Sequence, residues 1–576
     1  RAPAGGARTG RGAAQAAGSS FSLSRLCFSF LLMAGGVLFL LNPVQAAGIQ
    51  ADSAAPKDQQ PTVLQTANGT PQVNIQTPTA AGVSVNQFRQ FDVNSQGAIL
   101  NNSRQNTTTQ LGGWIQGNPW LAGGEAKVIV NQINSSNPSQ LGGYIEVGGR
   151  RAEVIMANPA GIQVAGGGFI NASGVTLTTG VPVMQSGQLE GFRVRGGRIG
   201  ISGKGLDTSD SDYTRILAGA AEVNAGIWAK DLAVVSGHND LHADGSLAAV
   251  SDRHSGDNDA TVAIDTGRLG GMYAGKIRLI STANGVGVNN AGQIFAGAGG
   301  ITLSADGKIG NSGSMVASGS NNEADIRLRA RQLDNSGSVS AQKQLSLDTD
   351  NIQNSGLLTS ATELNIRNSG GINSSGQINA ARLDIESGSL ANSGVISQTG
   401  LQKLAVASAE IHNSGLIGHA PADEPTGGNQ NNPNTPTNVP TTAAGNGEAV
   451  NVPVTTPLML ADGRISVANR LENAKDGRIS GNGIIDLSAQ NQLHNQGSLN
   501  VATLQSEGSV FNNQGNIQAT AFNSRSDQFS NRAGVINSLN QIHIQSRQFD
   551  NSNGKMLSAA DTRIHTGSGA NRQGDI

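Results

Sequence analysis

From about Ile326 onward the apolar positions fall into one recurring template: apolar, any, apolar, four others, apolar, any, Asn, any, Gly. It is met by Ile326, Leu328, Leu333 and Asn335; by Leu345, Leu347, Ile352 and Asn354; by Leu383, Ile385, Leu390 and Asn392; and by Leu404, Val406, Ile411 and Asn413. After a break it returns with Phe522, Ser524, Phe529 and Asn531, then with Ile542, Ile544, Phe549 and Asn551. The asparagines at 335, 354, 373, 392 and 413 lie 19, 19, 19 and 21 residues apart. A period of that length marks a stack of like units. Within each unit the alternation has period two, which predicts strands and not helices. Asn-Ser-Gly after the last apolar residue reads as a turn in which a left-handed backbone is cheap.

About 20 residues suffice for three short strands and three turns, so the expected fold is all-β, a parallel β-helix whose coils pair about 4.8 Å apart. Leu333, Ile352, Leu390 and Ile411 then form one internal ladder, continued by Leu493, Phe511, Phe529 and Phe549. Carried through most of the chain, the plan gives roughly 25 coils and a rod somewhat over ~100 Å long. The repeat asparagines, including Asn335, Asn354, Asn392, Asn413, Asn531 and Asn551, are expected to form and stack turns, with no ligand role. Between 418 and 457, prolines and polar residues replace the pattern. Proline cannot donate to a ladder, so this stretch reads as a loop or linker.

Composition agrees with β-structure. Glycine supplies 78 of 576 residues, aromatics are 3% and charged residues 14%. Near the N-terminus, Arg1, Arg8, Arg11 and Arg25 precede the apolar run Cys27 to Leu41, and Val44-Gln45-Ala46-Ala47 follows. This is the layout of a secretory signal cleaved after Ala46, before Ala47. The run is short for a membrane span. The chain begins with Arg, so the signal is expected to be incomplete. The only cysteine, Cys27, would leave with it, and a mature protein without disulfides must rely on burial and backbone hydrogen bonds. Cleavage also leaves 34 basic residues against 40 acidic ones, a net charge of about −6, which argues against general nucleic-acid binding. The chain stops at Asp575-Ile576 within or just after a repeat, so a longer rod truncated at its C-terminus is expected.

The first half carries a more specific signature. Gln72 to Ser103, and then GNPWLAGGEAKVIVNQINSSNPSQLGGYIEVGGRRAEVIMANPAGIQVAGGGFINASGVTLTTG from Gly117 to Gly180, set strand-length apolar pieces between Gly, Asn and Pro turns. These segments resemble, colinearly, the N-terminal secretion domain of the two-partner secretion exoproteins, the filamentous haemagglutinin, haemolysin and contact-dependent inhibition family. The resemblance continues weakly through Leu269 to Ile294 into repeats like that family's haemagglutinin repeats. It implies a right-handed parallel β-helix with an N-terminal cap and extra-helical strands. It also implies recognition in the periplasm by the POTRA domains of an outer-membrane β-barrel transporter, export to the Gram-negative cell surface, and folding outside. The family's two short motifs fall on Asn118, Pro119, Trp120 and Leu121, and on Asn158, Pro159, Ala160, Gly161 and Ile162. Both depart at the third place, where Trp120 and Ala160 stand for Asn. The cysteine pair of some relatives falls on Val164 and Gly167. In physical terms Asn-Pro removes a ladder donor and biases the Asn to extended geometry, so each motif breaks a strand before an apolar restart. The motifs either shape turns that let the domain fold or present the transporter-binding surface.

The expected organisation is therefore a signal at 1–46, a secretion domain at 47–300, repeats at 301–417, the loop at 418–457 and further repeats at 458–576. Catalytic, cofactor and metal sites are not expected. Gly161 to Gly167 has the GxxxxG spacing of a phosphate loop, but Gly167 stands where Lys is needed and a strand follows. His238 and His242 have no third ligand beside them, and read as surface loop. Asp207, Asp210 and Asp212, and Asp252, Asp257 and Asp259, read as solvated loops outside any regular calcium motif. A lyase-like enzyme is a distant reading, since no acid or basic set repeats at the coil period. Two functional classes remain: a surface adhesin whose rod binds a host or bacterial receptor, carbohydrate among the candidates, and the delivery stalk of a toxin or haemolysin with a C-terminal effector.

Overall fold

The structure is a computed structural model that describes residues 48–248, 262–283, 286–320, 323–400, 404–419, 463–481 and 485–576. Ala46 and Ala47, the 420–457 part of the predicted loop, and Asp252, Asp257 and Asp259 lie outside the described residues. What is described is a parallel β-solenoid of about 18 turns.

Alternation builds it. Ile326–Asn335 buries every second residue through Ile326, Leu328 and Ala330, then resumes at Leu333 and Asn335. Each coil lays its strands on the coil before. One face runs Gly271–Ser281, Gln293–Ala305 and Ile326–Asn335, pairing Ile277 with Ile301 and Ile301 with Ile326. The predicted ladder exists: Leu333 pairs with Ile352, Leu390 with Ile411, Leu493 with Phe511, and Phe511 through Phe529 to Phe549. Ile372 and Leu471 fill the coils between. All ten side chains face a continuous apolar core that runs from Ile49 to Met556. Ala405–Asn413 pairs in parallel with Gly463–Asn473, with one register shift between Ser408 and Glu410, so the solenoid resumes where it stopped, across the sequence break.

The first coils are closed by antiparallel pairs: Ile49–Ala51 lies against Val83–Phe91, and Thr62–Gln65 against Pro71–Asn74. A three-stranded antiparallel sheet, Val181–Gln185, Gln188–Val194 and Asn239–His242, stands outside the helix. It covers a second apolar cluster of Val130, Ile155, Leu217 and Val235 with Phe192, Val194 and Leu241. That is why Ala152–Ala157 is buried on both faces. Residues spent on such extra-helical strands also explain a shorter solenoid than the roughly 25 coils that uniform ~20-residue turns at this spacing would give.

Two turn expectations are corrected. Asn373 is exposed, and Ser374 takes its place in the asparagine row, pairing with Asn354 and Asn392. The register shifts between Arg367 and Gly371, which carries the row one residue on. The Asn-Ser-Gly turns are also not left-handed, since none of their residues has positive φ. Their glycine is required by stacking: a Cβ on Gly337 would strike the carbonyl oxygen of Gly313, and the same holds for Gly356 on Gly337 and Gly376 on Gly356. The turn amides bond to the previous coil, as Ser336 N and Gly337 N do to Asn311 O at 2.9 and 3.0 Å. Left-handed geometry appears where the turn is one residue longer, at Ala533, Asn553 and Gln573.

The row is a buried hydrogen-bonded ladder. Asn311 Nδ2 donates to Asn335 Oδ1 at 2.7 Å, Asn335 to Asn354 at 2.8 Å and Asn392 to Asn413 at 2.8 Å. It continues from Asn413 to Asn473 at 2.9 Å and from Asn531 to Asn551 at 2.8 Å. Asn473, Asn495, Asn513 and Asn571 belong to it too, although their longer or altered turns obscured them in the sequence.

Candidate functional site

Both Asn-Pro motifs are built alike. Asn118 is extended (φ −78°, ψ 117°), as a residue before proline must be, and caps the single 3-10 turn Pro119–Leu121. Its Oδ1 accepts from Trp120 N at 3.0 Å, and its Nδ2 donates to Ile75 O and Asn101 O at 2.8 and 3.0 Å. Leu121 is wholly buried beneath it. Asn158 follows Ala152–Ala157. Its Oδ1 accepts from Ala160 N at 2.9 Å, while Nδ2 donates to Asn137 O and Ser139 Oγ, both at 3.0 Å. Gly161 N closes the turn on Asn158 O at 2.9 Å. Gly161 takes φ +117°, and a Cβ there would sit 2.9 Å from Arg198 O. Ile162, fully buried, then opens the next strand, Ile162–Val164.

Each Asn side chain thus spends its acceptor on its own turn and both donor hydrogens on neighbouring coils. Asn118 is 3% exposed and Asn158 not at all. To its own motif turn the third residue contributes only its main-chain N–H, which Trp120 and Ala160 supply as Asn would. What the motifs present outward is Pro119, Trp120 and Pro159. The Trp120 indole donates to Thr62 Oγ1 at 3.2 Å, and exposed Leu64 lies two residues along that strand.

After the second motif, Gly166 (φ +118°) turns the chain so that Phe169 enters the core. Val164 faces the core, and a Cβ on Gly167 would lie 3.0 Å from Val164 Cγ1, so these two places are neighbours in space. His242 belongs to the extra-helical strand Asn239–His242 and not to the predicted loop, whereas His238 lies exposed in the bend just before that strand, as expected of a surface loop. Asp212 pairs with Arg151 at 3.3 Å and Lys230 at 4.0 Å, and both cations also donate to Asp210 O. Asp207 accepts from Tyr144 Oη at 3.0 Å and Ser209 Oγ at 2.7 Å. Burial pushes the Asp207 carboxyl up, but these hydrogen bonds outweigh it and leave the group below the usual carboxylate range.

Residues 47–311 match the family described as "TPS secretion domain". The chain carries a two-partner secretion domain. That places it among the secreted or cell-surface exoproteins of Gram-negative bacteria. It is 52% identical over 297 residues to a protein named "Toxin CdiA" from Yersinia pestis, a match covering 51% of this chain and 9% of that protein. It is 47% identical over 298 residues to "tRNA nuclease CdiA-2" of Burkholderia pseudomallei, with the same 51% and 9% coverage. The chain thus spans about a tenth of the length of the curated relatives it matches. Among solved structures, the crystal structure of the filamentous hemagglutinin secretion domain is similar at 27% identity and a TM-score of 0.40, covering 61% of this chain and 100% of that one.

Proposed function

We propose that this chain is the secreted stalk of a contact-dependent toxin-delivery exoprotein, exported through a dedicated outer-membrane β-barrel transporter whose periplasmic POTRA domains recognise the secretion domain. The relatives named as toxins and nucleases, 52% and 47% identical over about half of this chain, support the delivery reading. The stalk does no chemistry of its own in this reading; it reaches outward from the cell. The apolar run ahead of Ala46 serves as the export signal, and the coils after 311 are haemagglutinin-type repeats. Adhesion is a second role for the same rod, favoured by the exposed aromatic side chains Trp228 and Phe295 on one outward row.

The motif geometry carries the mechanism. Each buried Asn locks a coil corner after a strand whose ladder has been broken by Pro, so the coil can form only once the chain can fold. The transporter is then met by Trp120, Pro119 and Leu64, which are left outside. Expression with and without a two-partner outer-membrane barrel transporter tests the reading. Export that depends on that barrel is expected, and equal export without it would refute the proposal. Trp120→Ala should lower export while leaving the purified protein as stable as before.

A further inference from the structure

The outward row of one strand face is unusually aromatic. The chain has only three Trp and three Tyr. In register, Tyr144 pairs with Gly168, Gly168 with Asp207, Asp207 with Trp228, Trp228 with Tyr273, and Tyr273 with Phe295. Tyr144, Trp228 and Phe295 are 37%, 42% and 43% exposed, so the row is a surface and not a core.

The rings lie down. A Cβ on Gly168 would collide with the Tyr144 ring, one on Gly226 with Trp228, and one on Gly271 with Tyr273. Each ring therefore lies close over glycine backbone, while Tyr144 and Trp228 stay more than a third exposed. Trp228 and Tyr273 have centroids 6.2 Å apart and planes 14° apart; coils spaced ~4.8 Å would bring upright rings closer, so these two are shingled. Between Tyr144 and Trp228 the coil of Asp207 stays open. There a cleft of about 330 Å³ is floored by Gly166 and Gly167 and lined by Lys204, Asp207 and Ser209. The Asp207 carboxylate accepts from Tyr144 Oη, Ser209 Oγ and Ser209 N. A carboxylate has about four acceptor positions, so one is left for a ligand.

We infer that this cleft binds a neutral pyranose unit of a cell-surface polysaccharide, its C–H face on Trp228 and its hydroxyls on Asp207 and Lys204. An electron-rich ring face attracts the positively polarised C–H bonds of a sugar ring, and an ionised acceptor beside a Lys donor suits vicinal hydroxyls. A cleft with apolar walls and a few convergent polar groups is the general design of a small-ligand site. The row continues past the cleft over Tyr273 and Phe295, and the Tyr273 hydroxyl donates to Gln293 Oε1 at 3.0 Å, so a chain of sugars can lie along the rod. The inference builds on reading the rod as a surface that meets other cells.

The test is retention of the purified secreted chain on an array of immobilised hexose, hexosamine and hexuronate tetrasaccharides. At least one neutral hexose or hexosamine tetrasaccharide should retain the wild type. Trp228→Ala and Asp207→Ala should each weaken that retention at least tenfold, whereas Trp114→Ala, on a separate exposed hairpin, should not. Secretion yield and melting temperature of each variant report on folding and should match the wild type. An array on which no neutral tetrasaccharide is retained, or equal retention of Trp228→Ala, would overturn the site. So would loss of binding to the transporter's periplasmic domain in Trp228→Ala with an empty array, since the face would then serve a protein. Barrel-dependent export is read separately, so the secretion proposal survives or fails on its own measurement.

Discussion

Asn392 is the one repeat asparagine after a coil that has serine in the row, and its Oδ1 is buried with no partner. Ser374 takes a hydrogen bond from Asn354 at 3.2 Å but cannot also offer an amide to the next coil. Ser374→Asn should therefore stabilise the protein by about 1 kcal/mol, the usual net value of one buried hydrogen bond. An unchanged or lower urea midpoint would show that the ladder does not bear on stability. Asn354→Ala should do the opposite by about 1–3 kcal/mol, because it leaves Asn335 Nδ2 without its 2.8 Å acceptor. The third motif position gives a sharper contrast. As only its main-chain N–H is used, Ala160→Asn should leave the melting temperature where it is, whereas Gly161→Ala should lower it, having both positive φ and a carbonyl in the way.

Strands were the most legible elements, because period-two burial repeats from Ile326–Asn335 through Val535–Asp550 and needs no distant information. Turns were legible by residue type but misread by mechanism: Gly337 looks like a left-handed corner in sequence, yet what excludes a side chain there is Gly313 on the previous coil. The row position of Ser374 was hidden by the shift after Arg367. The extra-helical sheet was hidden as well, since Val130, Ile155 and Leu217 are covered by Phe192 and Leu241 from distant segments. Of the candidate site, the two Asn-Pro turns could be located from sequence, but the donor partners Ile75, Asn101, Asn137 and Ser139 could not. The Tyr144–Asp207 contact spans 63 residues and had no local signal. Among the elements, the C-terminal coils depend on aromatic stacking: Phe511 and Phe529 are parallel at 4.6 Å, with Phe522 edge-on to Phe511 at 5.4 Å. Phe511→Ala should cost about 3–5 kcal/mol locally, seen as faster amide exchange over 485–550 with 323–400 unaffected. Uniform loss of protection along the chain would mean that the coils do not act as near neighbours.

At the scale of the whole molecule, each coil is supported only by the coils beside it, so stability is close to a sum of local terms and folding can propagate along the axis. That suits a chain that emerges from a transporter in one direction. The Asn118 and Asn158 corners lie in the first coils to form if the N-terminal end leads, and they lock those coils through donors that reach neighbouring turns. The claim that follows is that Asn118 and Asn158 act by completing these coils from within. Hydrogen–deuterium exchange of the purified chain, wild type against Asn158→Ala, tests this most directly. Protection should fall over 134–180 and stay unchanged over 323–400, in step with reduced export. If Asn158→Ala abolishes export while 134–180 keeps its full protection, the motif acts as a surface contact and the claim is wrong.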